Sequence, residues 1–121
     1  MPAYRSTDEA EIRDAVIQRL RLLRPGYRII HEIQNACQGP NRIDVISVGP
    51  AEIIAVEIKS KKDKIDRLPA QITAMRGMSH HVIAALHEKF LITLAYNGAQ
   101  PGSKGIPKEA RGATVWAYPE A

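Results

Sequence analysis

The chain has 121 residues, of which 45% are hydrophobic and 25% are charged, and its formal net charge is +4. A chain of this size and composition can bury its own core, so we treat residues 1–121 as a single globular domain. One cysteine excludes an intrachain disulfide, no apolar run approaches the roughly 20 residues of a membrane span, and the first residues lack the pattern of a secretory signal. We therefore expect a soluble, cytoplasmic protein without a membrane partner, whose positive charge suits a polyanion.

The first half of the chain carries one helical and three strand patterns. Residues 6–8 can cap a helix, and apolar residues then recur at helical spacing from Ile12 to Leu23, before a Pro-Gly break. Segments rich in β-branched side chains and bounded by turn signals predict three strands, at residues 27–34, 42–48 and 53–59. The third segment is apolar almost throughout, which is typical of a central strand buried on both faces.

The second half predicts two helices, two strands and a long loop. A helix over residues 67–76 accommodates Pro69 in its first turn if Asp66 is the N-cap. The remaining predicted elements are a strand at 81–86, a helix at 88–96, a loop over 99–112 with a short turn after Pro107, and a strand at 114–118. This order predicts a mixed α/β fold in which a central sheet is flanked by helices.

Three charged residues stand within the apolar strand patterns. Glu57 and Lys59 are two positions apart, so they lie on the same face of the third strand. Asp44 lies in the second strand, and a hairpin through Gly49-Pro50 brings it opposite the Glu57 end. Burying a charged side chain among apolar residues costs free energy unless the charge is paired or binds a ligand. We therefore expect two carboxylates to converge beside one ammonium group.

These groups are the ones that phosphodiester hydrolysis needs. Mg²⁺ prefers oxygen ligands; it acidifies a bound water and offsets charge on the phosphate, while an adjacent lysine orients that water or accepts its proton. The alternative is structural, because a Glu-x-Lys pair on an exposed strand is common and contributes only about 0–1 kcal/mol. An aspartate can likewise end a strand. The combination of Asp44, Glu57 and Lys59 favours the hydrolytic interpretation.

Asp44, followed thirteen positions later by Glu57-Ile58-Lys59, resembles the PD-(D/E)XK nuclease superfamily. The similarity covers roughly residues 5–86 and is greatest to small stand-alone members: VRR-NUC-like and DNA-repair-type nucleases and Holliday-junction resolvases. It implies a restriction-endonuclease-like αβββαβ core, dependence on Mg²⁺ or Mn²⁺, and DNA as the substrate. It makes Asp44 and Glu57 metal ligands, the Ile58 carbonyl a third ligand, and Lys59 the catalytic lysine. Ile43 stands where the family name has proline.

The resemblance also implies an acidic residue from the first helix, a glutamate in the first strand and a glutamine in the helix after the third strand, and three residues match these positions. Glu9 lies on the buried stripe of the first helix and is a candidate metal ligand; its alternative role is a favourable first-turn charge. Glu32, in the first strand, is a second candidate ligand, with an exposed-face residue as the alternative. Gln71 lies on the apolar face of its helix, where a buried amide needs partners, and the resemblance implies that it belongs to the catalytic site.

A basic segment follows the third strand directly. It predicts phosphate contacts that position DNA without reading its sequence, through Lys61, Lys62, Lys64 and Arg67. The alternative is an ordinary solvated turn. The four histidines have no zinc-site spacing, and we predict that none of them binds a metal.

The sequence therefore predicts a metal-dependent DNA endonuclease that acts in DNA repair, recombination or phage DNA processing. Its substrate is branched or duplex DNA; RNA stays open, and a homodimer suits the cutting of two strands. One alternative is a non-catalytic nucleic-acid-binding module. Another is a protein-interaction subunit in which Glu57 and Lys59 only form a surface pair.

Overall fold

A mixed sheet with one helix on each face forms the core of the protein. The computed structural model describes residues 7–34, 42–93 and 104–119. The elements in chain order are α1 (Thr7–Leu23), β1 (Arg28–Gln34), β2 (Arg42–Val48), β3 (Ile53–Lys59), α2 (Leu68–Arg76), β4 (His81–His87), β5 (Ile92–Thr93), β6 (Lys104–Gly105) and β7 (Thr114–Tyr118). The mixed α/β class and the central sheet flanked by helices are confirmed. None of the described helices has both the length and the apolar character needed to cross a membrane.

The strands of the main sheet are ordered β1-β2-β3-β4-β7. The β1–β2 and β2–β3 pairs are antiparallel, whereas the β3–β4 and β4–β7 pairs are parallel. The predicted hairpin between β2 and β3 is confirmed: Val48 pairs with Ile53, and the Gly49 amide donates to the Glu52 carbonyl across 3.0 Å. A separate two-stranded sheet joins β5 and β6. The β2–β3 hairpin thus places β3 at the centre of the main sheet.

Each helix covers one face of this sheet. Ile12, Val16 and Leu20 of α1 share a core with Val56 and Ile58 of β3. The opposite core contains Ala55 of β3 together with apolar residues of α2, namely Leu68, Ile72 and Met75. Each large side chain buried in this way contributes about 1.5–3 kcal/mol. Because side chains alternate along a strand, positions 57 and 59 of β3 belong to the face that α2 covers.

The predicted helix at residues 88–96 is wrong. Glu88–Phe90 form a single 3₁₀ turn, and the chain then extends into β5. The imidazole Nδ1 of His87 accepts from the Lys89 amide and so caps this turn at 3.0 Å. The β-branched Ile92 and Thr93 pair with β6, inside the predicted loop, so tertiary pairing overrides the local helical pattern. Residues 94–96 of that prediction lie outside the described residues.

Pro69 and Pro107 each lie at the start of a predicted element. Pro69 lies in the first turn of α2, as predicted, but the N-cap is Arg67 rather than Asp66 and makes no side-chain capping bond. The short turn predicted after Pro107 is present as a 3₁₀ turn, Lys108–Ala110. The prediction of these elements from Pro and Gly signals was therefore correct to within one or two residues.

A polar network ties together the end of the sheet where the β2–β3 turn lies. The Glu52 carboxylate accepts hydrogen bonds from the guanidinium of Arg24 and, at 2.9 Å, from the Tyr27 hydroxyl; it also lies 3.0 Å from His81 Nε2. The hydrogen bond from Arg24, followed by that from Tyr27, lowers the pKa of Glu52 to about 2. The Tyr27 ring packs over Gly49, where an added Cβ would fall 2.1 Å from the ring. This network fixes the turn that sets the β2–β3 register.

We expect Glu52→Gln to flatten the acid dependence of stability. The pKa of Glu52 lies below its ordinary value of 4.5 in the folded chain, so its contribution is complete above about pH 4.5 and is lost as the pH falls toward 2. The difference in Tm between wild type and variant should therefore shrink across that range. Thermal unfolding at pH steps between 7 and 2 measures it, with Glu88→Gln, an exposed carboxylate, as the control. An unchanged difference across the range would contradict the prediction.

Candidate functional site

Asp44, Glu57 and Lys59 lie together where the pairing of β2 with β3 ends. The last paired residues at this end are Val45 and Val56, so Asp44 and Glu57 are the next positions outward on the two strands. Asp44 Oδ2 accepts the backbone amide of Ile58 at 2.8 Å, and Lys59 Nζ lies 3.4 Å from Glu57 Oε2. All three side chains are buried, with exposed fractions of 7%, 2% and 6%. The three residues therefore lie at the same end of the β2–β3 hairpin, and their joint role in a site stays a prediction.

The donor chemistry of this group suits a hard divalent cation. Mg²⁺ is commonly held by one or two carboxylates and keeps several waters or substrate oxygens as its other ligands. Within the ranges that the structure describes, there is no group of three or more His, Cys, Asp or Glu side chains that could hold a metal ion. A cation at this end of the hairpin would therefore need water or substrate oxygens besides Asp44 and Glu57. The predicted role of the Ile58 carbonyl stays a prediction.

Glu9 is engaged by a buried arginine. Its Oε1 accepts from Arg13 Nε at 2.8 Å and lies 2.7 Å from Arg13 Nη2, and neither side chain is exposed to solvent. The two residues are one helical turn apart on α1, which is the spacing of a helical ion pair. The structure thus gives Glu9 a clear role as the counterion of Arg13. Its role as a metal ligand stays a prediction.

Arg13 is the residue of this region that the sequence analysis missed. Its Nη1 donates to the backbone carbonyl of Asp44 at 2.9 Å and lies 2.9 Å from His31 Nδ1. A guanidinium has no acceptor, so His31 Nδ1 must accept, and the His31 proton is on Nε2. Burial, followed by the charge of Arg13, lowers the pKa of His31. The available signal was a charged residue four positions after Glu9 and directly after Ile12, on the buried side of α1.

Glu32 lies opposite Asp44 in the β1–β2 register, between the pairs His31–Val45 and Ile33–Ile43. Its φ of 54° is left-handed, a conformation that non-glycine residues rarely adopt. Its carboxylate lies 2.8 Å from an Arg42 nitrogen and 3.5 Å from Arg13 Nη2. The structure thus ties Glu32 to two arginines, and its predicted role as a metal ligand stays a prediction.

Gln71 lies half-buried on α2, the helix that covers the same face of the sheet as Glu57 and Lys59. Its side-chain Oε1 is buried and has no hydrogen-bond partner within the described part of the chain. A buried amide oxygen in this state is normally satisfied by water or by a ligand. Gln71 therefore lies on the helix that covers Glu57 and Lys59, and its catalytic role stays a prediction.

The predicted phosphate-binding residues are on the surface. Lys61, Lys62, Lys64 and Arg67 are all exposed. The Asp8 carboxylate of α1 lies 3.5 Å from Lys61 Nζ and 3.4 Å from Lys62 Nζ. A cavity of about 350 Å³ adjoins this contact, with Asp8, Glu11 and Lys61 in its wall. The two lysines are therefore partly neutralised by a carboxylate of their own chain.

Residues 3–97 match the family model of bacteriophage P4 protein cII. The chain belongs to the bacteriophage P4 protein cII family. The predicted membership of the PD-(D/E)XK nuclease superfamily is therefore wrong. No curated protein and no solved structure matches the chain.

The error has a physical reason. An aspartate and a Glu-x-Lys pair on a strand hairpin form a short pattern, and unrelated folds can produce it wherever a buried carboxylate needs a cationic partner. The part that matches the P4 cII family includes Asp44, Glu57 and Lys59, so the buried group lies within the family's region of the chain.

Proposed function

We propose that this member of the P4 cII family is a metal-dependent nuclease that hydrolyses phosphodiester bonds in DNA. The observation that carries the proposal is the burial of two carboxylates and one ammonium group, Asp44, Glu57 and Lys59, at the same end of the β2–β3 hairpin. Burying charged groups is costly unless they are paired or bind a ligand. A divalent cation shared by the two carboxylates would add to the stabilisation that the Ile58 amide gives Asp44 and that Lys59 gives Glu57.

Each residue has a defined task in this proposal. A divalent cation bound by Asp44 and Glu57 would supply an acidified water and offset charge on the phosphate. The Ile58 amide orients the Asp44 carboxylate through its 2.8 Å hydrogen bond. Lys59, 3.4 Å from Glu57, is placed to orient the attacking water or to donate to a phosphate oxygen. Gln71, on the helix that covers this face of the sheet, would contribute its buried Oε1 as a hydrogen-bond acceptor in the site.

We also propose which elements form the nuclease core and in which process the protein acts. The elements α1 to β4 follow the order α-β-β-β-α-β, and we propose that they act as a restriction-endonuclease-like core without a family relationship to those enzymes. A family named after a phage protein suits a role in phage DNA processing, carried out in the cytoplasm.

Cleavage assays on supercoiled plasmid and on branched DNA test the proposal. We expect nicking in Mn²⁺ or Mg²⁺ and none in EDTA. A divalent-dependent rise in Tm without DNA would support metal binding independently. Intact DNA under every divalent condition would contradict the proposal.

Non-catalytic nucleic-acid binding is the second candidate function. The observation that favours it is the exposure of Lys61 and Lys62, at 56% and 73%, directly after β3 and independent of the buried charges. Salt-sensitive DNA binding without nicking in Mn²⁺ would favour this function over the nuclease.

We expect the double variant Lys61→Ala/Lys62→Ala to bind DNA more weakly and with less salt dependence. Removing one cation that neutralises a DNA phosphate lowers the slope of log affinity against log salt by about 0.9. Fluorescence anisotropy with a labelled duplex at several salt concentrations measures both quantities. Arg21→Ala is the control, because Arg21 is an exposed residue in the last turn of α1, far along the helix from Asp8. An unchanged slope would show that neither lysine binds DNA.

A further inference from the structure

We propose that Arg13 is a positioning residue that fixes the β2 backbone at Asp44 and so holds the Asp44 carboxylate ready for a divalent cation. This inference rests on the proposed function, because it assigns Arg13 a task in the same site. The position of the Asp44 carboxylate relative to the Ile58 amide can be measured without DNA and without cleavage.

Arg13 joins three elements at one buried point. From α1, its guanidinium contacts Glu9 on its own helix, His31 on β1 and the carbonyl of Asp44 on β2. The side chain is completely buried, so none of these contacts is weakened by solvent. An arginine can make these contacts together because its planar fork presents five donors in fixed directions, which a lysine cannot do.

Asp44 is held from two sides as a result. Its carbonyl accepts from Arg13 at 2.9 Å, and its carboxylate accepts from the Ile58 amide at 2.8 Å. The β2–β3 register ends at the pair Val45–Val56, so on the side of β3 the bond from the Ile58 amide holds Asp44 beyond the last paired residue. A shift of Arg13 therefore moves the Asp44 backbone and alters the bond to Ile58.

The strained residue opposite Asp44 belongs to the same arrangement. Glu32, with its left-handed φ of 54°, lies 3.5 Å from Arg13 Nη2 and 2.8 Å from Arg42. Strained backbone persists only where its surroundings hold it, and it concentrates at functional sites. A merely structural ion pair between α1 and the sheet would not require β1 to adopt this conformation next to Asp44.

Arg13→Lys tests the proposal against the matched control Arg24→Lys. Both arginines pair with a glutamate, but Arg24 belongs to the Glu52 network at the β2–β3 turn. Two properties are measured without DNA: the amide resonance of Ile58, and the Mg²⁺ concentration that half-saturates resonance changes in β3. We expect Arg13→Lys to shift the Ile58 resonance and to raise the half-saturating Mg²⁺ concentration about 10-fold, because residues that support metal ligands have effects of this size. Arg24→Lys should change neither property.

The outcomes separate the two proposals. If Arg13→Lys leaves both the Ile58 resonance and the Mg²⁺ midpoint as in wild type, the positioning role is overturned even when cleavage is observed. If wild type does not bind Mg²⁺, the nuclease proposal fails, and the Ile58 resonance alone decides whether Arg13 positions Asp44.

A second variant covers the case in which Arg13→Lys does not fold. Glu9→Gln keeps Arg13 in place but removes the charge that orients it, and it should shift the Ile58 resonance in the same direction by a smaller amount. An Ile58 resonance at the wild-type position in Glu9→Gln would then overturn the positioning role.

Discussion

Glu57→Gln should lower divalent-dependent DNA cleavage by at least about 100-fold while the protein stays folded, because it weakens the hold on a cation that would stabilise transition-state charge, and losing one such stabilising group typically costs this much. Glutamine has the shape of glutamate but lacks the charge that would hold a cation next to Asp44. The variant also leaves Lys59 without its carboxylate partner at 3.4 Å, so some loss of stability is expected. Cleavage rates are therefore measured well below the Tm of the variant. Lys59→Met should cause a comparable loss of cleavage, because it removes the ammonium group that would orient the attacking water or donate to a phosphate oxygen.

Two controls make this result interpretable. Glu88→Gln replaces an exposed carboxylate in the turn after β4 and should cleave like wild type. The double variant Glu57→Gln/Lys59→Met has no buried charge of either sign at these positions, so it should recover stability relative to either single variant without recovering cleavage. Full cleavage by a well-folded Glu57→Gln variant would exclude Glu57 from the reaction, and the nuclease proposal would fail with it.

The central sheet was predictable because its pattern leaves little freedom. Segments of β-branched residues separated by Gly and Pro allow few pairings, and the Gly49-Pro50 turn sets the β2–β3 register. The alternation of side chains then places Glu57 and Lys59 on one face, with Asp44 opposite Glu57. The position of these three residues at one end of the hairpin follows from local rules, and their chemistry remains a proposal.

The role of Arg13 was not predictable in the same way. Its spacing from Glu9 is that of an ordinary surface ion pair on a helix, and its partners on β1 and β2 lie 18 and 31 positions away in the chain. Only the tertiary packing shows that this pair is buried and that a third contact reaches the Asp44 carbonyl. The left-handed backbone conformation of Glu32 also could not be predicted, because the alternation of side chains in a strand does not indicate where φ becomes positive.

The predicted family was wrong for a related reason. Three charged residues and the order of the elements are not enough to assign a family, because unrelated chains can bury carboxylates in a hairpin in the same way. The match to bacteriophage P4 protein cII extends over residues 3–97 and so draws on far more positions than those three residues. The helix predicted at 88–96 failed because the β5–β6 pairing depends on residues that are distant in the chain.

Arg13→Met should lower the free energy of unfolding by about 3–5 kcal/mol, the cost of removing one partner from a buried ion pair. Glu9 would keep its carboxylate at a position with no solvent exposure, and the Asp44 carbonyl and His31 Nδ1 would each lose a donor. Glu9→Gln should cost less, because the amide oxygen still accepts from Arg13 Nε. Urea denaturation at pH 7 measures both values.

The double variant Glu9→Gln/Arg13→Met determines whether the pair is coupled. We expect it to be more stable than the sum of the two single effects by about 1–3 kcal/mol, because only the single variants leave one member of the pair charged and buried. The same cycle on Asp8→Asn and Lys62→Ala is the matched comparison, since that pair is on the surface with Lys62 73% exposed. Its coupling should be about 0–1 kcal/mol. Equal coupling in the two cycles would mean that Arg13 and Glu9 are accessible to water in solution, and the arrangement that fixes Asp44 would then lose its physical basis.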